Sequence, residues 1–260
     1  MLELYHFNGA TCGLKARLSL AEKGVDYIER AVDREFLRTP EYRAIHPSGV
    51  VPALVHNGNI VLESSVVINY VDDAFDGKSL KPDSPIGIAR AWWWMKKADE
   101  HLPMIAILTY TISMRPKLLR EKSREELKVY IDGIADPVNR ERRREILTNG
   151  LESAAFPQAL LSMHELLAQM ENSLTEASWL AGDKYSLADI AMTPLIERLM
   201  ELNMAELFEY NRPNLVKWWK HIQARASYRI CSLENPNPEK QQHLTAGTEA
   251  WPLIRSIVKK

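Results

Sequence analysis

Cys12 follows a short apolar segment and precedes one of helical period, which puts it in the first turn of a helix. There the helix dipole and the unpaired amides stabilise a thiolate and lower its pKa. Cysteine is equally common as a small buried apolar residue, so a reactive thiol and an inert one are both open. Thr11 beside it can donate to a bound thiolate or cap the helix. Val51-Pro52 opens a strand at a place where a ladder would want an N–H donor. A cis bond there turns the Val51 N–H and C=O outward, to pair with an extended peptide as an added strand would, the alternative being an ordinary strand-start proline. Glu63-Ser64 stands where a strand meets a helix N-terminus. Free N–H groups and the Ser64 hydroxyl suit a carboxylate, and Glu63 suits an ammonium, so the pair fits the α-amino acid end of a ligand; a bare N-cap is the alternative.

Further along, Ser186-Leu187-Ala188-Asp189 is a capping box with Asp in place of Glu, a structural device. The run Trp92, Trp93, Trp94 covers three directions on a helix, so at least one ring faces something other than the core, and an interface is the natural candidate. His101 and Tyr110 lie in the same helical region and are candidates to face a cleft, with a packed or solvated side chain as the alternative for each. The run Arg140 to Glu145 is interrupted by acids at helical period and reads as a salt-bridged face with no ligand.

The chain that must position these residues has 260 residues, 33 Lys and Arg against 34 Asp and Glu, 46% hydrophobic and 26% charged. This balance excludes a disordered or fibrous chain. A net charge of −1 provides no field to attract a polyanion, so nucleic acid is not an expected partner. Cys12 and Cys231 offer neither a disulfide framework nor metal-ligand spacing, so no metal is expected and a reducing cytoplasm is the default compartment. Met1 is not followed by a basic leader, and no window approaches ~18 uncharged apolar residues, so neither export nor a membrane span is expected.

Leu2 to Phe7 predicts a strand, Leu14, Leu18 and Ala21 a helix ending at Gly24, and Val25 to Val32 a second strand parallel to the first. Pro52 to His56 and Asn59 to Leu62 flank Asn57-Gly58 as an antiparallel hairpin. A helix capped by Ser64 then runs to about Phe75. The order βαβ, loop, hairpin, helix is a thioredoxin-like arrangement closing at residue 78. Lys78 to Pro85 has linker composition, and helical segments follow at Ala89–Leu102, Ser123–Ile134, Asn139–Ile146, Leu160–Leu174, Leu187–Leu202 and Leu215–Arg225. The expected fold is an α/β thioredoxin-like N-terminal domain (1–78) plus an all-α C-terminal helical domain (86–234). Residues 235–260, with Pro236, Pro238 and Pro252 and little periodicity, are expected to form a surface tail.

This order, the Val51-Pro52-Ala53-Leu54 motif, Glu63-Ser64 opening the next helix and Ser186 to Asp189 together resemble the glutathione S-transferase superfamily over residues 2–230. The resemblance implies glutathione as co-substrate, a small aromatic electrophile as partner, and a homodimer formed through the first domain's edge and the helix near Trp92 to Asp99. By the same resemblance Val51 pairs its backbone with the cysteinyl part of glutathione, Pro52 is cis, and Glu63 and Ser64 hold the γ-glutamyl end. Arg38 joins this glutathione-binding set. Gly9 to Leu14 is similar to the active-site segment of the beta-class enzymes, with Cys12 at the place of their cysteine and His101 matching the histidine beside it. Gly13 and Val50 depart from that class, and Phe7 near the tyrosine position of the animal enzymes argues against a tyrosine-activated thiol.

Residues Glu121 to Leu127, Ile134 to Pro137, Arg142 to Arg144 and Phe156-Pro157 are similar to the helical insertion of the bacterial lignin β-etherases, which use the glutathione thiolate to displace a phenolate. The function expected is therefore thiolate attack, with cleavage of β-aryl ethers of lignin-derived aromatics. Cys12 and Thr11 are the catalytic candidates, and Phe7, His101, Met104, Ile105, Leu108 and Tyr110 line the acceptor pocket. Generic detoxifying conjugation, Cys12-dependent glutathione lyase or thiol-disulfide chemistry, and a non-enzymatic binding role are the rival readings.

Overall fold

The computed structural model describes residues 1–258. Strand β1 (Leu2–His6) is central: it pairs parallel with β2 (Ile28–Ala31) and antiparallel with β3 (Ala53–His56), which pairs antiparallel with β4 (Asn59–Leu62), giving the order β2-β1-β3-β4. The β3–β4 turn is built on Asn57 and Gly58, at φ 50° and 82°, the backbone that suits the right-handed twist of a tight hairpin. Helix α1 (Thr11–Lys23) crosses from β1 to β2 and ends at Gly24 in the left-handed region. A short α2 (Pro40–Ile45), capped by Thr39, precedes β3, and α3 (Ser64–Ala74) follows β4.

Leu2, Leu4 and Leu54 pack against Ala16 and Leu20 of α1 and Val67 and Val71 of α3. Tyr5 and Phe7 pack instead with Leu37, Tyr42 and Val51. One layer holds the helices and the other carries the mouth of β3. The second strand is shorter than the expected Val25 to Val32, and all four of its residues are exposed, because it forms the open edge of the sheet.

The helical part comprises α4 (Pro85–Thr109), a π-helical turn at Tyr110–Met114, α5 (Arg115–Glu121), α6 (Arg124–Asp132), α7 (Pro137–Asn149), α8 (Ala155–Ser173), α9 (Leu187–Glu201), α10 (Ala205–Glu209), α11 (Pro213–Gln223), α12 (Ala226–Tyr228) and α13 (Lys240–Val258). Helix α9 is the hub, packed on α4, α1 and α13 and buried along almost its whole length. At its start Asp189 is fully buried. Its carboxylate accepts from the Leu180 N–H (3.1 Å), the Ser186 N–H (2.9 Å) and hydroxyl (3.2 Å), and the Trp218 indole (2.8 Å), tying three segments together. Burial pushes its carboxyl up to about 6, the bonds from Trp218, Leu180 and Ser186 pulling the other way.

Two sequence expectations need correction. Residues 240–258 are a helix rather than an aperiodic tail: His243, Gly247, Ala250 and Ile254 form a buried stripe, and Pro236 and Pro238 lie before the helix rather than within it. The last two residues of the expected tail lie outside the described residues. Helices α2 and α5 are also not expected from the sequence, each being short, with a proline in its first turn. The tryptophan run divides as its spacing requires, with Trp94 buried and Trp92 and Trp93 about half exposed (49% and 46%).

Candidate functional site

The Val51–Pro52 bond is cis. Val51 precedes the β3 ladder, and its N–H and C=O are bonded to no other described residue, while the neighbouring Val50 carbonyl accepts from the Tyr42 hydroxyl at 2.7 Å. Gly49 makes this turn feasible: at φ +62°, a Cβ there would lie 2.6 Å from the Leu37 carbonyl oxygen. Facing this edge is the start of α3, where Glu63 holds φ 66°, a backbone state costly for a residue with a side chain and characteristic of functional sites. The Glu63 side chain does not cap the helix and is exposed, whereas Ser64 and Ser65 are buried.

Cys12 lies in the first turn of α1, whose N-cap position, Ala10, has no side-chain cap. Its thiol faces the Ser64 hydroxyl. Burial pushes the thiol up, outweighing Lys15 and Ser64, which favour the thiolate. The expected lowering by the helix end is thus overturned, and Cys12 rests as a neutral thiol. Below it, the fully buried Lys15 donates to Asp99 (2.8 Å), which also accepts from Ser65 (2.8 Å), so α1, α3 and α4 meet under the thiol. Asp99, not His101, fills this place: the His101 Nδ1 bonds the Lys97 carbonyl of its own helix at 2.7 Å.

On the other side of the α1 start, Phe7 lies beneath the Arg34 guanidinium, 5.6 Å from the ring centroid. Arg34 also donates to the Tyr110 hydroxyl (3.2 Å), which accepts from Tyr130 as well (3.3 Å). The Arg143 guanidinium stacks over the Tyr110 ring and Arg38 over Tyr130, at 5.0 Å. Although burial works against ionisation of Tyr110, the charges of Arg143 and Arg34 and the bond from Tyr130 prevail and lower its pKa.

Phe7 and Tyr110 are thus linked through the Arg34 guanidinium. Ile105 and Leu108 instead belong to the helical core, with Met104 packed against it. Arg38 lies against α6, over the Tyr130 ring. Arg34, Tyr130, Arg143 and Asp99 were missed. For Tyr130 and Arg143 a signal exists: Leu127, Tyr130 and Ile131 share one face of α6, and Arg143 is one turn from Ile146 and Leu147.

The loop carrying Thr11 is braced from behind by the C-terminal segment. Arg198 of α9 donates to the Gly9 carbonyl, pairs with Glu201 (3.2 Å), and donates through Nη1 to His243 Nε2 (2.6 Å). Asn237, held by Glu201 (2.9 Å), packs against Gly9, and Thr11 borders a polar cavity of ≈ 30 Å³ in this region, room for about one or two waters. Because a guanidinium only donates, His243 Nε2 must accept, so Nδ1 carries the proton and donates to Ser113 Oγ (2.7 Å). Burial, then the Arg198 charge, lower the His243 pKa from 6.5 to about 4. With the folded value depressed, this group's contribution to stability is present above pH 6.5 and is lost as pH falls through about 4. We expect His243→Gln to flatten the dependence of the urea midpoint on pH across that window; an unchanged slope would contradict the assignment.

The glutathione S-transferase N-terminal domain family matches residues 4–79, and the C-terminal domain family matches residues 152–226. The chain is 28% identical to the tetrachloro-p-hydroquinone reductive dehalogenase of Sphingobium chlorophenolicum, covering 87% of this chain and 94% of that one. It is 27% identical to protein LigF of Sphingobium sp. strain NBRC 103272 / SYK-6, over 88% and 91% of the two chains. The crystal structure of beta-etherase LigF from strain SYK-6 superposes with a TM-score of 0.79 at 26% identity, covering 88% of this chain and 98% of that one.

Proposed function

As this chain belongs to the glutathione S-transferase superfamily, we propose that it uses the glutathione thiolate to cleave β-aryl ethers of lignin-derived aromatics. The observation that carries this reading is the backbone match to beta-etherase LigF over nearly all of that chain. In this reading Val51 pairs its free N–H and C=O with the cysteinyl residue of glutathione as an added strand. Ser64 and the first amides of α3 take the γ-glutamyl carboxylate, and the exposed Glu63 carboxylate takes its ammonium.

The glutathione sulfur then lies at the start of α1, where free amides, with Thr11 or Cys12 nearby, stabilise the thiolate. The sulfur forms a bond to the carbon beside the ketone while the C–O bond breaks, the electron pair leaving on the phenolate oxygen. Tyr110 suits the departing oxygen. Both acceptor positions of its hydroxyl are taken by Arg34 and Tyr130, which leaves its proton to donate. Exposed Trp92 and Trp93 support a homodimer interface, and two free cysteines suit a reducing cytoplasm. Glutathione-dependent release of phenol from a racemic β-aryl ether ketone tests the reading.

A second reading has two observations in its favour: Cys12 stands under Ser64, and a relative of similar identity is named a reductive dehalogenase. Here the Cys12 thiolate would attack the sulfur of an aromatic glutathione thioether, the S–C bond breaking as its electron pair leaves on the aromatic carbon, which takes up a proton. Cys12 then carries a mixed disulfide, seen by mass spectrometry as one added glutathione. Generic conjugation is the remaining outcome, marked by turnover of chloronitroaromatics without ether cleavage.

A further inference from the structure

Arg143 is the least explained cation of the molecule. It projects from the inserted α7 onto the Tyr110 ring, and its Nε and Nη1 are buried with no hydrogen-bond partner. Among the described residues it has no ion-pair partner. Arg34 donates to the Tyr110 hydroxyl from the loop after β2, and its carboxylate partner, Glu239 (3.0 Å), is shared with Lys117 (2.8 Å). Two guanidiniums from different elements thus converge on one tyrosine beside Phe7, and of the two only Arg34 has an acid partner among the described residues. Leaving the buried Arg143 nitrogens unpaired is costly, and the half-exposed Arg34 beside it shares its acid with Lys117, so the pair is most simply completed by a bound anion. The surrounding Phe7, Tyr110 and Tyr130 rings specify that the anion is carried on an aromatic group.

We propose that Arg34 and Arg143, which meet at Tyr110, form an anion-recognising subsite, so that the preferred acceptor is an aromatic compound bearing a carboxylate. This rests on the chain binding glutathione and an aromatic acceptor side by side, and is independent of which bond is broken. The neighbouring arginines of α7 are otherwise occupied: Arg142 bonds Asn139 (3.0 Å), and Arg144 pairs with Glu141 and Asp132.

The test is calorimetric. Glutathione is titrated first, and then, in saturating S-methylglutathione, para-nitrobenzoate and its methyl ester. The carboxylate is expected to bind about tenfold or more tightly than the ester in the wild-type protein, the scale of one charged hydrogen bond. In Arg143→Gln this ratio should fall towards one, whereas Arg142→Gln should keep it. Equal affinities of carboxylate and ester in the wild type, or no binding of the carboxylate, would overturn the subsite. A loss of glutathione affinity in Arg143→Gln with the ratio intact would place the arginines on the tripeptide's glycine carboxylate and overturn it equally. Failure of ether cleavage leaves these binding ratios untouched, so the two readings fall separately.

Discussion

Replacing Ser64 by alanine raises the KM for glutathione by about 10–150-fold, because a hydrogen bond to a charged group contributes ~1.5–3 kcal/mol and each 1.4 kcal/mol is about tenfold. Ser64 is 5% exposed, opens α3 and faces Cys12, so its hydroxyl cannot be replaced there by bulk water. The adjacent Glu63 already carries a left-handed backbone that fixes how the helix start is presented. The loss should fall mainly on KM, since the carboxylate of the tripeptide is equally charged before and during sulfur attack, and interactions of that kind bind without accelerating. Ser64→Thr, which keeps the hydroxyl, should recover most of the affinity. Saturation kinetics with a chloronitroaromatic acceptor measure this; a KM within twofold of wild type would remove Ser64 from the glutathione site.

The second large effect is on stability. Asp189→Ala should destabilise the protein by about 3–5 kcal/mol, lowering the melting temperature by roughly 10 °C. The carboxylate satisfies the Leu180 and Ser186 amides and the Trp218 indole in a fully buried setting, and alanine leaves all of those donors without a partner. Asp189→Asn should cost clearly less, since an amide oxygen still accepts and the buried carboxyl is already pushed up to about 6. Through α9 the loss should reach the loop before α1, because Arg198, about two and a half turns along, holds Gly9. Thermal unfolding of the two variants decides the matter, and a shift below about 1 kcal/mol for alanine would contradict the capping role.

Features set by a few consecutive residues were legible before the structure. The Asn57-Gly58 turn and the Ser186–Asp189 box each follow from local steric or hydrogen-bonding demands, whereas the cis Val51–Pro52 bond is open on the residues alone and is implied by the family resemblance. The order of strands and helices followed from periodicity in the same way. What could not be read depends on partners far away in the chain. The acidity of Cys12 is decided by how deeply Ser64, Asp99 and Lys15 enclose it, and no dipole at a helix end reveals that enclosure. Arg143 reads as part of a salt-bridged face because acids interrupt the run at helical period, yet its position one turn before Ile146 and Leu147 turns it inwards. Helix α13 was obscured by three prolines, although its stripe from His243 to Ile254 has helical spacing throughout. Ile105 and Leu108 show the converse: apolar residues near a cleft were assigned to its lining and are claimed by the core.

The central claim is that glutathione sulfur, held at the start of α1, displaces a phenolate. Following phenol release and thioether mass together, on each enantiomer of a β-aryl ether ketone, tests it most directly. We expect one phenol and one glutathione thioether per ether consumed, no release without glutathione, and conversion of a single enantiomer. Phenol released without glutathione, or glutathione disulfide formed in place of the thioether, would contradict it.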